Sequence, residues 1–261
     1  MIRIEKIMAK LQTDFVGREI LCFEKLSSTN ATAKEQAQEG AREGTTIIAE
    51  TQTEGKGRLN RRWFSPKGGI WLSVILRPRI TVENAAKMTL TTSLAVANTI
   101  RKLYGLRAQV KWPNDVQINN KKVSGVLAAL RLKGRAVDYV IIGIGINANF
   151  ALSSLPSDLQ TTATTLKEVS KKDVDVEELV SVLLKEFEDC YKRFIENEFE
   201  DLLLQWRSMA SFLGKKVEIV SLKERLCGVA VDVDRNGELI IGLEDGNNRN
   251  IVSGDVIVIE D

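Results

Sequence analysis

Residues 55–63 read GKGRLNRRW, two glycines with Lys56, Arg58, Asn60, Arg61 and Arg62 gathered ahead of Trp63. Glycines let a backbone turn its amide N–H groups toward an anion. Arginine grips a carboxylate or phosphate through two parallel hydrogen bonds. The spacing is neither a Walker A nor a Rossmann fingerprint, because no GKS/T is present and no helix opens directly after it. Charge alone is equally satisfied by a solvated basic loop. The chain has no histidine, which excludes Ser-His and Cys-His catalysis and most zinc sites.

Four other segments carry groups suited to binding. In KWPND (111–115), Pro113 sets a turn and Trp112 offers packing or a stacking face. Asn114 and Asp115 can cap that turn, hold a metal or accept a proton; a hairpin over a core tryptophan explains the same letters. KKVSG (121–125) puts Lys122 at the head of a strand beside small residues, and GIGIN (143–147) joins close-approach glycines to an amide. Each also reads as ordinary structure, an exposed hairpin lysine and a glycine-bearing buried strand. SSTN (27–30) supplies hydroxyls and an amide, with Thr29 as the expected helix cap.

These groups need a frame. Alternating apolar residues predict strands at 18–24, 45–50, 69–78 and 138–148, the last ending in a glycine-rich bend, and a strand–turn–strand over 107–134. Helices are expected from Thr29, over 81–105 with Gly105 closing it, over 176–197, and along FEDLLLQWRSM. The polar stretch 153–168 reads as a mobile loop. From Gly214 the pattern changes to four short strands with RNG and EDGNN turns, a small barrel of about 45 residues that leans on the larger unit. The expected limits are 1–212 and 213–261.

The 261 residues are 44% hydrophobic and 28% charged, enough for a real core. Net charge is +2, from 37 basic and 35 acidic residues, which argues against non-specific affinity for nucleic acid or membrane. Cys22, Cys190 and Cys227 are odd in number, far apart and without a CxxC, so they read as reduced thiols of a cytoplasmic protein. The start MIRIEKIMAKLQTDF lacks the apolar core of a signal peptide.

Taken in order, SSTN, QTEGKGRLNRRWFSP, KWPND, KKVSG and GIGIN resemble the biotin–protein ligases (biotin–acetyl-CoA-carboxylase ligases), from about Arg18 to the C-terminus. The resemblance implies an α+β fold, a mixed-sheet catalytic domain of the class II aminoacyl-tRNA-synthetase/biotin-ligase type followed by a small SH3-like barrel. It implies an ATP-dependent, AMP-forming enzyme. Biotin and ATP would form biotinyl-5′-AMP, and a lysine of a biotin carboxyl carrier protein would then take the biotinyl group. Mg²⁺ is the expected companion of ATP, and no metal ligands are assigned.

The same resemblance implies residue roles. Ser28, Thr29, Asn30 and Gln52 would contact biotin, whose ureido ring offers donors and an acceptor. Gly55, Lys56, Gly57, Arg58, Lys122, Gly125 and Gly143 complete the biotin side. Arg58, Arg61, Trp63, Lys111, Asn114, Asp115 and Asn147 fall on the nucleotide side. Lys122, Arg58 and Asp115 are the expected catalytic groups, with Asp115 open between metal orientation, a base for the acceptor amine, and a turn. The family loop reads Gly-Arg-Gly-Arg and then a glycine two positions on; here Lys56 loses the planar fork and Asn60 stands for the glycine, a residue that still visits left-handed backbone.

A lipoate–protein ligase shares the fold and adenylation logic, and KWPND, GKGR and the terminal barrel favour biotin. A nucleic-acid module using GKGRLNRR is the reading from another class. The repressor members' N-terminal winged helix is not expected, because only about 17 residues precede the first predicted strand, so no DNA partner is expected. A homodimer is expected by analogy with the family, and no membrane partner.

Overall fold

A computed structural model describes residues 2–134, 136–221 and 224–259; Met1 and residues 260–261, to which the expected limits extend, lie outside the described residues, as do Arg135, Leu222 and Lys223. A short helix α1 (Ile4–Lys10) leads into β1 (Ile20–Leu26), α2 (Thr29–Gln38), β2 (Thr46–Gln52), β3 (Ile70–Leu76) and the long α3 (Ala85–Tyr104). Then come β4 (Gln109–Lys111), β5 (Asp115–Ile118), β6 (Lys121–Lys133) and β7 (Ala136–Ile146), followed by α4 (Ser157–Gln160), α5 (Leu166–Ser170), α6 (Val176–Ile195) and α7 (Phe199–Met209). The chain ends in β8 (Lys216–Val220), β9 (Arg225–Val233), β10 (Leu239–Gly242), β11 (Asn248–Ile251) and β12 (Asp255–Val258).

The first seven strands form one sheet in the order β1-β2-β3-β7-β6-β5-β4. β1 and β2 are parallel and all other pairs antiparallel, so the sheet is mixed as expected. Its side-chain period of two decides where the chemistry lies. On β3, Ile70, Leu72, Val74 and Leu76 enter the main core, while Trp71 and Ile75 go to separate clusters on the other face. On β7, Val140, Ile142, Ile144 and Ile146 join the core, and Gly143 and Gly145 alternate with them on the opposite face. Helices α3 and α6 cover the core face, with α1 and α7 beside them.

The second sheet runs β11-β10-β9-β8-β12, all antiparallel. Gly237 and Gly246, at φ 83° and 84°, make its RNG and EDGNN turns, a left-handed geometry that suits glycine. This sheet shares the main core through Val217, Ile219, Ala230, Val233, Leu239 and Ile241. Trp112 Nε1 donates to Gly237 O at 3.0 Å, which ties the KWPND turn to it.

Several sequence expectations need correction. The terminal segment has five strands where four were expected, because the predicted last strand breaks at Ser253–Gly254. Residues 153–168 are not a structureless loop. They carry a 3₁₀ turn (Leu152–Ser154) and α4, and Ala163 bridges in parallel to Lys122. Thr164 N donates to Lys122 O (2.9 Å), and Lys122 N to Thr162 O (2.8 Å). The glycines of GIGIN lie within β7 rather than in a bend. Helix α1 was not anticipated, being seven residues with one buried side chain, Ile7. Among the described residues no helix is long and apolar enough to cross a membrane.

Glu188 on α6 anchors the turn before β1. Only 1% exposed, it accepts from the backbone N–H groups of Asp14, Phe15 and Val16 at 2.7–2.9 Å and pairs with Lys192 at 2.9 Å. Burial alone pushes its pKa up, but those donors and Lys192 outweigh it and hold the carboxyl below its ordinary 4.5. A depressed carboxylate stabilises the fold above its unfolded pKa and loses that effect as pH falls through the folded value. Glu188→Gln is expected to lose about 1–3 kcal/mol at pH 7. In urea titrations, the gap to wild type should close as the pH drops below 4. A gap unchanged with pH would contradict this.

Candidate functional site

A cleft of about 250 Å³ opens on the face of the first sheet opposite the main core. At one end the N-terminus of α2 presents hydroxyls and amides. Ser28 holds the cap position with extended backbone and makes no side-chain cap bond. Thr29, expected as the cap, is the first helical residue and turns its polar groups elsewhere. Its N–H donates to Gln52 Oε1 at 2.8 Å, and its hydroxyl lies 3.1 Å from the same oxygen. Gln52 Nε2 donates to Ser65 Oγ (2.7 Å), while Ser73 Oγ donates to Asn30 Oδ1 (2.6 Å) and stands 2.8 Å from Thr29 Oγ1. This network fixes the direction of each amide before any ligand arrives.

Glycine makes room for it. A Cβ on Gly143 would stand 2.2 Å from Asn30 Oδ1, and one on Gly55 would meet Trp63 O at 2.3 Å. Gly125 and Gly145 are cross-strand partners, and the Trp63 indole lies against both. A Cβ on Gly145 would meet Trp63 Nε1 at 2.6 Å, one on Gly125 Trp63 Cζ3 at 3.0 Å. The Trp71 ring meets Trp63 edge-on at a centroid distance of 6.3 Å, and Lys122 Nζ lies 5.0 Å over the Trp63 ring. Leu155, Leu159 and Ala163, from the segment expected to be mobile, close the apolar wall.

The other end is cationic. Residues 55–63 form a small hairpin: Lys56 bridges to Arg62, Gly57 N donates to Arg61 O (2.8 Å), and Trp63 N donates to Gly55 O (2.8 Å). Leu59 and Asn60 at its tip have φ of 53° and 59°. Asparagine visits the left-handed region readily, which accounts for its place there; leucine does so at a cost of about 1–2 kcal/mol. The hairpin brings Arg58 Nη1 to 3.3 Å from Asn114 Oδ1. Asn114 Nδ2 donates to Val126 O (2.9 Å), pinning the KWPND turn to β6.

Lys122 Nζ pairs with Asp115 Oδ1 at 2.6 Å. Lys111 is opposite Asp115 in the β4–β5 register. Burial draws the Lys111 pKa down, Asp115 resists this, and the Lys122 charge adds to it. Burial likewise lowers Arg58, against the pull of Asp255 and Asp115; a guanidinium keeps its charge regardless. These are the groups expected around a polyanion.

Of the residues anticipated from sequence, Ser28, Thr29, Asn30, Gln52, Lys56, Gly57, Arg58, Arg61, Trp63, Asn114, Asp115, Lys122, Gly125, Gly143 and Asn147 all line this cleft. Gly55 and Lys111 do not line it. Asn147 is 5% exposed, and its Nδ2 donates to Thr164 O (3.0 Å) and Lys122 O (3.4 Å), so it joins the end of β7 to β6 and to the 153–168 stretch. Not anticipated were Ser253, Gly254 and Asp255 of the second sheet. Arg58 donates to Gly254 O (3.2 Å) and Ser253 Oγ (3.1 Å), and Arg61 pairs with Asp255. A polar SGD interrupting a strand pattern was the available signal.

Among the described residues no group of three metal-ligating side chains occurs. The cleft carboxylates Asp115 and Asp255 already face Lys122, Arg58 and Arg61. The donor set therefore suits an anion, with no built cage for a resident metal. Chemically, the cleft offers a neutral amide-and-hydroxyl end, an apolar middle and a cationic end. It can hold one elongated ligand whose far end is anionic, together with a second anion.

Residues 22–147 match the model of the biotin/lipoate A/B protein ligase family. The chain is 35% identical over 247 residues to the bifunctional ligase/repressor BirA of Bacillus subtilis, covering 94% of this chain and 76% of that protein. It is 30% identical over 250 residues to the biotin–[acetyl-CoA-carboxylase] ligase of Mycobacterium tuberculosis, covering 92% and 89%. The solved biotin protein ligase of Aquifex aeolicus in complex with biotin and ATP superposes with a TM-score of 0.82 at 31% identity, over 94% of this chain and all of that one.

Gly145→Ala tests the glycine floor. The added methyl must displace the Trp63 ring, an overpacking that costs about 1–3 kcal/mol. We expect a fold still cooperative in urea, with tryptophan emission shifted to the red as Trp63 moves toward water. Emission identical to wild type would mean that the ring does not rest on Gly145.

Proposed function

Because the chain belongs to the biotin/lipoate A/B protein ligase family, we infer that it is a biotin–protein ligase, which activates biotin with ATP and passes it to a lysine of a biotin carboxyl carrier protein. One observation carries this reading: Lys122 and Arg58 meet at one end of a cleft, with the Lys111 charge coupled to that of Lys122, and the other end is built of neutral amides and hydroxyls. Biotin has that polarity, a neutral ureido ring and a carboxylate joined by an apolar chain.

We assign the biotin ring to Ser28, Thr29, Asn30 and Gln52, with Gly143 and Gly55 leaving it space and Gly125 flooring the chain. Lys56, Gly57, Arg58 and Lys122 complete the biotin side toward its carboxylate. Arg58, Arg61, Trp63, Lys111, Asn114, Asp115 and Asn147 bound the nucleotide side, Asn114 and Asn147 chiefly by holding the strands.

The absence of histidine fits the chemistry. A carboxylic acid of pKa roughly 4 to 5 is already an anion at neutral pH, so the nucleophile needs no base. The barrier comes from repulsion between that anion and the nucleotide's phosphates. Lys122 and Arg58 offset it and stabilise the charge that builds at the α-phosphorus as the carboxylate oxygen attacks and pyrophosphate leaves. Fixing the two reactants in line supplies much of the rest. In the second step the acceptor amine attacks the carbonyl of the mixed anhydride and AMP leaves. Asp115, once its partner Lys122 turns to the phosphate, is the carboxylate placed to take the amine's proton. Magnesium accompanying the triphosphate would add to the charge offset there, and no residue of the cleft is assigned to hold it.

We place the domain limits at 1–212 and 213–261, the second sheet being local in sequence. We extend to this chain the homodimer and cytoplasmic location expected for the family; the unbonded Cys22, Cys190 and Cys227 suit a reducing compartment. Sedimentation at the monomer mass, with and without biotin and ATP, would remove the dimer.

Lys122→Ala is expected to slow adenylate formation by about 10²–10³-fold in single turnovers while changing transfer from supplied biotinyl-AMP far less. Equal adenylation rates would remove Lys122 from this role. Arg58→Ala is expected to release biotinyl-AMP at least about tenfold faster, since the hairpin shields the anhydride. Unchanged dissociation would count against shielding. Transfer itself is checked by mass: a carrier-domain lysine should gain one biotinyl group, and an unmodified carrier in the presence of both substrates would refute the reading.

A further inference from the structure

Resting on the assignment of the basic hairpin to the nucleotide, we propose that Asp255, on the second sheet, is a positioning residue: its carboxylate holds Arg58 and Arg61 at the mouth of the cleft in the free protein and yields them to the incoming phosphates. Asp255 lies at the start of β12, just after the break at Ser253–Gly254. Its Oδ1 is 3.7 Å from Arg58 Nη1, and its Oδ2 pairs with Arg61 Nη2. Two further contacts come from the same turn, the Gly254 carbonyl and the Ser253 hydroxyl, both on Arg58. Four contacts from three consecutive residues thus meet one hairpin some 200 positions earlier in the chain.

The arrangement answers a difficulty of the site. Lys56, Arg58, Arg61, Arg62 and Lys122 line the cleft and Lys111 lies beside Asp115, and among the described lining residues the only carboxylates are Asp115 and Asp255. Asp115 is taken by Lys122 at 2.6 Å. Without Asp255 the two hairpin guanidiniums and the lysines would be opposed only by Asp115, already paired with Lys122, among the described cleft residues, and like charges so close repel. The hairpin tip also carries the strained Leu59, so it needs an external hold to stay folded. Arg58 is 19% exposed and Asp255 30%, dry enough for the pair to matter and open enough for phosphate oxygens to replace the carboxylate. A phosphate offers a guanidinium the same bidentate acceptor geometry as a carboxylate, so the exchange keeps the arginine geometry.

The hairpin offers trypsin four cleavage points, after Lys56, Arg58, Arg61 and Arg62. With no ligand present, wild type should be nicked slowly there, Asp255→Asn about tenfold faster, and Asp255→Glu close to wild type. In the enzyme assay Asp255→Asn should raise the KM for ATP about tenfold and change kcat and the KM for biotin less than about threefold. Thermal unfolding of the three proteins should coincide, separating positioning from general instability. If Asp255→Asn failed to fold, salt carries the test on wild type, since screening should speed hairpin nicking toward 1 M NaCl and leave other sites unchanged. Equal nicking of Asp255→Asn and wild type, or salt-independent nicking of wild type, overturns the proposal. A KM change equal for ATP and biotin also overturns it. The nicking readout needs no catalysis, so a protein that made no adenylate would refute the ligase reading and leave this result standing on its own.

Discussion

Positive charge crowded into a partly dry cleft is the constraint on which the rest of this structure depends. Lys111 and Lys122 lie close enough for each charge to act on the other, and Arg58 is drawn below its ordinary pKa by burial. Such a group of cations is unfavourable on its own and favourable only around anions. The free protein supplies two of these, Asp115 and Asp255, and a bound carboxylate and nucleotide supply the remainder. The fold serves that balance. One sheet fixes Lys111, Asp115 and Lys122 on adjacent strands, while the second sheet faces the hairpin arginines with a carboxylate.

The neutral end depends on steric absence. Alternation on β3 and β7 sends aliphatic side chains to the core and leaves Ser73, Gly143 and Gly145 toward the cleft. At the two glycines even a methyl would meet Asn30 or Trp63. The flat backbone floor, the indole laid on it and the Thr29–Gln52–Ser65 hydrogen bonds together set a slot for a neutral ring, with its polar groups oriented in advance. Family membership and the likeness to a solved ligase complex agree with this geometry.

Much of this was legible in the sequence because the signals were local. The strand alternation of GIWLSVIL, the closing Gly105 of α3 and the long amphipathic α6 depend on neighbours a few residues away. The motif set named fifteen of the residues that line the cleft, and Asn60 takes the left-handed turn expected of it. The part that stayed hidden was non-local. Thr29 looked like a helix cap, yet its partner Gln52 lies 23 positions on. Residues 153–168 looked mobile because their polar composition does not show that Thr162 and Thr164 find the backbone of Lys122. The role of Ser253–Asp255 depends on a hairpin almost the whole chain away, which no window of sequence connects.

The central claim is that one cleft joins biotin's carboxylate to the α-phosphorus of ATP, with Lys122 and Arg58 offsetting the charge of the two reactants. Exchange of labelled pyrophosphate into ATP by the purified protein measures this reaction directly and needs no acceptor. Exchange that requires biotin, is not supported by lipoate, and falls at least about a hundredfold in Lys122→Ala is the predicted result. Exchange without biotin, equal exchange with lipoate, or none with either would contradict the account.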